Sequence, residues 1–168
     1  MPDTVHVPGA ELAVVERGAG EPVLLVHGMA DRAAGWAPVV AALTGDGRAP
    51  AGSGRARVIA YDRRGYGAST APEPYERTTV AEQSEDAAAL LAALGARPAA
   101  VCGRDLGALV ALDLARRHRD RVAGLVVVDP PLYAFSAAAT EVLGAERLAL
   151  EEALRDGGPA AAVRAWLT

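Results

Sequence analysis

At 168 residues and 51% hydrophobic composition, the chain is the size of one domain and can bury a sizeable core. All 17 basic residues are arginine, which excludes a Walker A phosphate loop and a lysine Schiff base; a genomic base-composition bias is the plain explanation. The net charge of −4 argues against nucleic acid as a partner, and the cluster Arg116, Arg117, Arg119 and Arg121 reads as cations at a helix C-terminus. One cysteine, Cys102, excludes a disulfide framework and fits a reducing compartment. It reads as buried core at the end of its strand. An N-terminal signal pattern and an 18-residue apolar run are both absent, so the expectation is a cytoplasmic protein with no membrane partner.

Thr4–Val7 and Leu12–Arg17 read as an antiparallel hairpin at one sheet edge, turned by Pro8-Gly9-Ala10-Glu11. Pro22–Val26 is a continuous apolar run, suited to a parallel strand buried on both faces. His27-Gly28-Met29-Ala30 follows, then a helix around Trp36–Leu43. Thr44–Arg55, rich in Gly, Pro and Ala, reads as the most flexible connection. Arg57–Tyr61 is the next strand and leads into Asp62-Arg63-Arg64-Gly65-Tyr66-Gly67-Ala68-Ser69. Thr79 is placed to cap a helix over Val80–Leu94, where Ala87, Leu90, Leu91 and Leu94 fall at helical spacing.

The most informative stretch comes next. Ala99–Cys102 reads as a buried strand and Leu106–His118 as a helix, with Gly103 and Gly107 bracketing Asp105 at the corner. Such a corner lifts one residue above the sheet beside the helix's first N–H groups, with glycines where a Cβ would clash. Val122–Val128 is the last strand candidate and ends at Asp129-Pro130-Pro131. The remainder is helical, with a break at Gly157-Gly158-Pro159. Strands alternating with helices imply a doubly wound, mostly parallel α/β sheet.

Three motifs in order, His27-Gly28, Asp62–Ser69 and Gly103-Arg104-Asp105-Leu106-Gly107, each follow a strand. With them the chain resembles the α/β-hydrolase superfamily over residues 1–131. Residues 132–168 resemble the start of the helical cap that many members insert after the sixth strand. By this resemblance Asp105 stands where the nucleophile does. The N–H groups of Met29 and Leu106 would form the oxyanion hole. His27, Gly28, Gly103 and Gly107 would support it, and the arginines and Asp62 would pair structurally beside it. Asp129 matches the position of the triad acid in some dehalogenases, and also reads as a structural turn before Pro130.

An aspartate at the corner resembles the epoxide hydrolases and dehalogenases of the superfamily. There a carboxylate attacks an sp³ carbon, and a histidine-activated water hydrolyses the resulting ester. Leu106 stands where the dehalogenases and many epoxide hydrolases carry Trp and the haloacetate dehalogenases carry Arg; without a halide donor or guanidinium there, dehalogenation falls behind and an epoxide or similar small apolar substrate is left ahead. Neither metal nor cofactor is expected, since one Cys and three scattered His offer no ligand spacing and no G-x-G-x-x-G follows a strand. The resemblance implies a histidine near the C-terminus of the fold, and neither His6 nor His118 matches it. The expected fold is therefore truncated after its sixth strand, inside the cap, with about 100 residues of such a domain outside this chain. Val122–Val128 would then be an apolar edge, open to a further segment, a homo-oligomer or a partner chain. Two alternatives remain at this point. One is a non-catalytic relative that keeps the corner as structure and works by binding, and the other is a natural-product tailoring enzyme using Asp105 as a base. Cap tyrosines serve as acids in the epoxide chemistry, and Tyr133 is the one tyrosine of the present cap.

Overall fold

A computed structural model describes residues 3–45, 56–74, 77–132 and 136–166. Tyr133 and most of the Thr44–Arg55 connection lie outside the described residues. Six strands form one sheet in the order β1-β2-β4-β3-β5-β6: β1 Asp3–Val7, β2 Ala10–Arg17, β3 Glu21–Val26, β4 Ala56–Tyr61, β5 Ala99–Arg104 and β6 Val122–Val128. The hairpin turns on Pro8-Gly9, with Val7 opposite Ala10, and β2 also pairs antiparallel with β4. The β3–β4, β3–β5 and β5–β6 pairs are parallel.

Period-two alternation divides the core between the two faces of the sheet. Leu12, Leu24, Val26, Ile59, Tyr61 and Val101 share one cluster with Leu90 and Leu91 of α2 (Val80–Ala93) and Val110 and Leu114 of α3 (Leu106–Arg117). Leu25, Val58 and Ala60 face the other way, onto Trp36 at the end of a 3₁₀ turn (Ala33–Trp36) and onto Val40 and Leu43 of α1 (Ala37–Thr44). Helices thus cover both faces, as the unbroken apolar runs of β3 and β4 require. The Thr79 side chain accepts from the Glu82 N–H at 3.1 Å, the expected cap of α2.

Two sequence expectations need adjustment. β5 extends to Arg104, because its pairing with β6 continues to Arg104 opposite Val128, so Cys102 does not end the strand. Cys102 is also only half-buried, at the margin of the α1-side cluster, though burial still pushes its thiol up. β6 pairs only with β5 among the described residues, and Val126 is 55% exposed.

Residues Pro131–Thr168 form a second compact unit, separate from Met1–Pro130. It contains α4 (Ala137–Trp166), broken at Gly158 (φ 68°, ψ −171°) just before Pro159. Proline lacks an N–H and clashes with the preceding turn, which explains the break. No helix among the described residues is long and apolar enough to cross a membrane.

Leu114 is fully buried between α3 and the sheet. Leu114→Ala should cost about 3 kcal/mol in urea denaturation, while Val126→Thr on the open strand should change stability by less than about 0.5 kcal/mol.

Candidate active site

β3 and β5 are parallel neighbours with Val26 opposite Gly103, so their C-terminal ends emerge side by side. His27-Gly28-Met29 leaves one and Asp105 the other. Asp105 sits at φ 49°, ψ −127°, between the last residue of β5 and the first of α3. A non-glycine residue there stores about 1–3 kcal/mol of backbone strain, held in place by its surroundings. Its N–H donates to the Val128 carbonyl at 2.9 Å, tying the corner to the end of β6.

The strand ends pack backbone to backbone. A Cβ on Gly28 would lie 2.8 Å from Asp105 Oδ2 and 2.9 Å from Asp105 Cβ. One on Gly103 would strike the Gly107 carbonyl, and one on Gly107 the carbonyls of Val26 and His27. These contacts let α3 begin directly over β3. The Met29 N–H then donates to Asp105 Oδ2 at 2.6 Å, and Oδ1 has no hydrogen bond among the described residues. Leu106, the next residue, is the first of α3, where backbone N–H groups have no acceptor within the helix.

His27 is fully buried, and both of its ring nitrogens are engaged. The Arg63 N–H donates to Nε2 at 2.9 Å, so Nδ1 carries the proton and donates to the Gly28 carbonyl at 2.8 Å. Burial, aided by the Arg63 charge, pushes the imidazole down to about 4. His27 is therefore a neutral prop. His6 lies in β1 beside Glu11, and His118 closes the far end of α3, bonded to Glu85 at 2.9 Å. The rise of a twelve-residue helix separates His118 from Asp105 by about 18 Å. Asp129 directly follows the carbonyl that holds the corner and has φ 49°.

The Asp62–Ser69 segment differs from expectation, because its arginines do not pair with Asp62. The Asp62 carboxylate instead accepts from the Ala33 N–H at 2.7 Å and the Ala68 N–H at 2.8 Å, clamping the loop after β3 to the loop after β4. Arg64 reaches Asp86 and Glu82 of α2, each at 2.5 Å. Arg63, buried, bonds Gln83 Oε1 at 2.6 Å and the Gly28 carbonyl at 2.8 Å, and stacks 4.3 Å over Tyr66. A carboxylate prefers the convergent N–H groups of two turns, which leaves each arginine to find an acceptor elsewhere.

Sequence reasoning set the arginines beside the site but missed the partners of Arg63, and also missed the Asp31–Arg104 ion pair that fastens the loop after β3 to the end of β5 beside Trp36. The usable signals were the motif itself and the position of Arg104 next to Asp105. A cavity of about 590 Å³, lined by residues including Arg17, Arg32, Asp62 and Gly67, does not include Asp105 or Met29 in its lining.

The family model for the alpha/beta hydrolase fold matches residues 21–150. The chain belongs to this family. Epoxide hydrolase A of Mycobacterium tuberculosis is 36% identical over 131 residues, covering 76% of this chain and 38% of that protein. Among solved structures, a thermophilic esterase from Thermogutta terrifontis superposes with a TM-score of 0.71 at 32% identity, covering 94% of this chain and 53% of that one. Epoxide hydrolase VrEH1 from Vigna radiata gives 0.66 at 30% identity, covering 76% and 37%. The chain spans less than half the length of the curated relatives it matches.

Two outcomes follow from this geometry. An unfolded histidine takes up its proton near pH 6.5, whereas His27 in the folded chain resists until about 4. The unfolded state thus binds more protons in that window, and stability should fall by about 3 kcal/mol as pH drops through it. His27→Gln should flatten that slope in denaturation curves taken from pH 7 to 4. Gly28→Ala should force the loops apart, lower stability by about 1–3 kcal/mol, and shift the Met29 amide resonance upfield as its hydrogen bond lengthens.

Proposed function

We propose that this chain carries the nucleophile and oxyanion-binding part of an α/β-fold hydrolase acting on small apolar epoxides through an ester on Asp105. The observation that carries the reading is the Asp105 carboxylate, held by the Met29 N–H on Oδ2 at a strained strand–helix corner, with Oδ1 unengaged among the described residues. Oδ1 attacks a ring carbon and the C–O bond of the epoxide breaks. The alkoxide takes a proton, leaving a hydroxyalkyl ester. Carboxylates are ionised at neutral pH, so this step needs no base. Water then adds to the ester carbonyl, and collapse of the tetrahedral adduct breaks the bond from Cγ to the alkyl oxygen, which leaves with a proton as the diol and restores the Asp105 carboxylate. The charge that develops on Oδ2 is met by the Met29 and Leu106 N–H groups, while Gly28, Gly103 and Gly107 permit the approach and His27 braces the loop. The epoxide hydrolases among its relatives support this choice of substrate.

The base for the second step is not His6, His27 or His118, for the reasons of position and hydrogen bonding given above. In this reading it belongs to residues beyond those 168, residues 132–168 begin the cap, and Asp129 serves as a turn. A cytoplasmic location, and a further segment or chain along β6, belong to the same proposal.

Because His27 is locked between Arg63 and Gly28 and His118 lies at the far end of α3, a second reading also stands, in which the relative is non-catalytic and works by binding, or is non-hydrolytic. Incubation with styrene oxide, followed by intact-mass and peptide mapping, separates the two. The hydrolase reading expects a persistent single adduct on Asp105 that Asp105→Asn abolishes. A folded protein that forms no adduct overturns it, and ligand binding unaffected by Asp105→Asn favours the second.

A further inference from the structure

Arg63 is a buried guanidinium, 1% exposed, and among the described residues no carboxylate lies within ion-pair distance of it. Buried charges are ordinarily paired, since desolvation is costly. Its neighbour Arg64 obeys that rule, with Asp86 and Glu82 on its guanidinium. Arg63 has only neutral partners: Gln83 Oε1, the face of Tyr66 and the Gly28 carbonyl, with its Nε unpartnered.

The Gly28 carbonyl belongs to the same peptide group as the Met29 N–H. In a trans peptide the two point in opposite directions. One end accepts from Arg63 Nη2 at 2.8 Å and His27 Nδ1 at 2.8 Å, and the other donates to Asp105 Oδ2 at 2.6 Å. The Arg63 backbone N–H also holds His27 Nε2, so Arg63 governs both donors on that carbonyl. A cation on the carbonyl draws density from the amide and makes its N–H a stronger donor, since hydrogen bonds in series polarise one another. The donors also fix the rotation of the peptide plane.

We infer that Arg63 is a positioning residue whose buried charge acts through the Gly28–Met29 peptide to aim and strengthen the Met29 N–H toward Asp105 Oδ2. This deepens the proposed function and rests on its reading of Asp105 as the nucleophile. The stabilisation matters most when Oδ2 bears full negative charge, in ester cleavage.

The experiment uses the full chain. Of its two methionines, Met1 has no backbone amide in a peptide bond, so selective ¹⁵N-methionine labelling reports Met29 alone. Arg63→Met should move that resonance upfield, and Arg63→Lys, which returns the charge, should bring it back. Cleavage of the styrene oxide adduct by hydroxylamine supplies the kinetic readout. The nitrogen adds to Asp105 Cγ, the carbonyl pair moves onto Oδ2, and collapse expels the alkoxide, which takes a proton from nitrogen and leaves a hydroxamate. Arg63→Met should slow this step about tenfold, less than the loss of an oxyanion donor outright, and Arg63→Lys should recover most of it. Gln83→Leu frees one arm of the guanidinium while keeping its charge. It should shift the resonance the same way by less, and it decides the matter if Arg63→Met does not fold. An unmoved Met29 resonance or an unchanged cleavage rate in a folded variant overturns the inference. If the wild-type chain forms no adduct, the nucleophile reading fails, and the Met29 resonance alone still decides the role of Arg63.

Discussion

The Gly28–Met29 peptide is hydrogen-bonded at both ends, to a buried arginine and histidine on one side and to the Asp105 carboxylate on the other. Much of the architecture serves to hold that one group in place. Parallel pairing of β3 with β5 brings the two strand ends together. Glycine at 28 and 107 removes the side chains that would keep them apart. Asp62 anchors the rest of the loop after β3 through the Ala33 N–H. Each contact is individually modest, but they act on the same few atoms, so loosening one shifts the others.

Charge within this region is distributed unevenly. Arg64 is a strut, neutralised by acids of α2 and fastening the loop after β4 to that helix. Arg63 turns toward the sheet end instead and, among the described residues, meets only neutral acceptors. His27 lies beside it and stays uncharged, because burial and a neighbouring cation both disfavour a proton there. The outcome is a polar, buried backing to the corner in which Arg63 is charged and His27 is not, behind the half-buried Asp105 carboxylate.

Much of the scaffold was readable from local pattern. Unbroken apolar runs marked the two-faced strands β3 and β4, Thr79 marked the start of α2, and Gly-Gly-Pro marked the break in α4. Gly103 and Gly107 announced a tight corner because their spacing makes sense only where a helix lies on strand ends. What local pattern could not supply was the partner of each polar side chain. Asp62, Arg63 and Arg64 are consecutive, and pairing among them looked natural. Their partners lie in the loop after β3 and on α2, out of sight of any short window. Asp31 and Arg104, 73 residues apart, are hidden for the same reason. Cys102 was misplaced because the end of β5 is set by the length of β6, a property of a different segment.

The strand order β4-β3-β5 has a consequence for how the chain folds. The Met29–Asp105 hydrogen bond joins residues 76 positions apart, and β3 is enclosed by two strands that both follow it in sequence. The entropy of closing so long a loop must be met before any contact across it is gained. The hairpin and the helices rely on neighbours and can form early, whereas the corner where Asp105 meets the first loop is completed only when β5 docks. Interactions made that late contribute little to the folding barrier and act mainly on the rate of unfolding. The contacts that hold Asp105 at its corner thus also bear on how long the folded chain lasts.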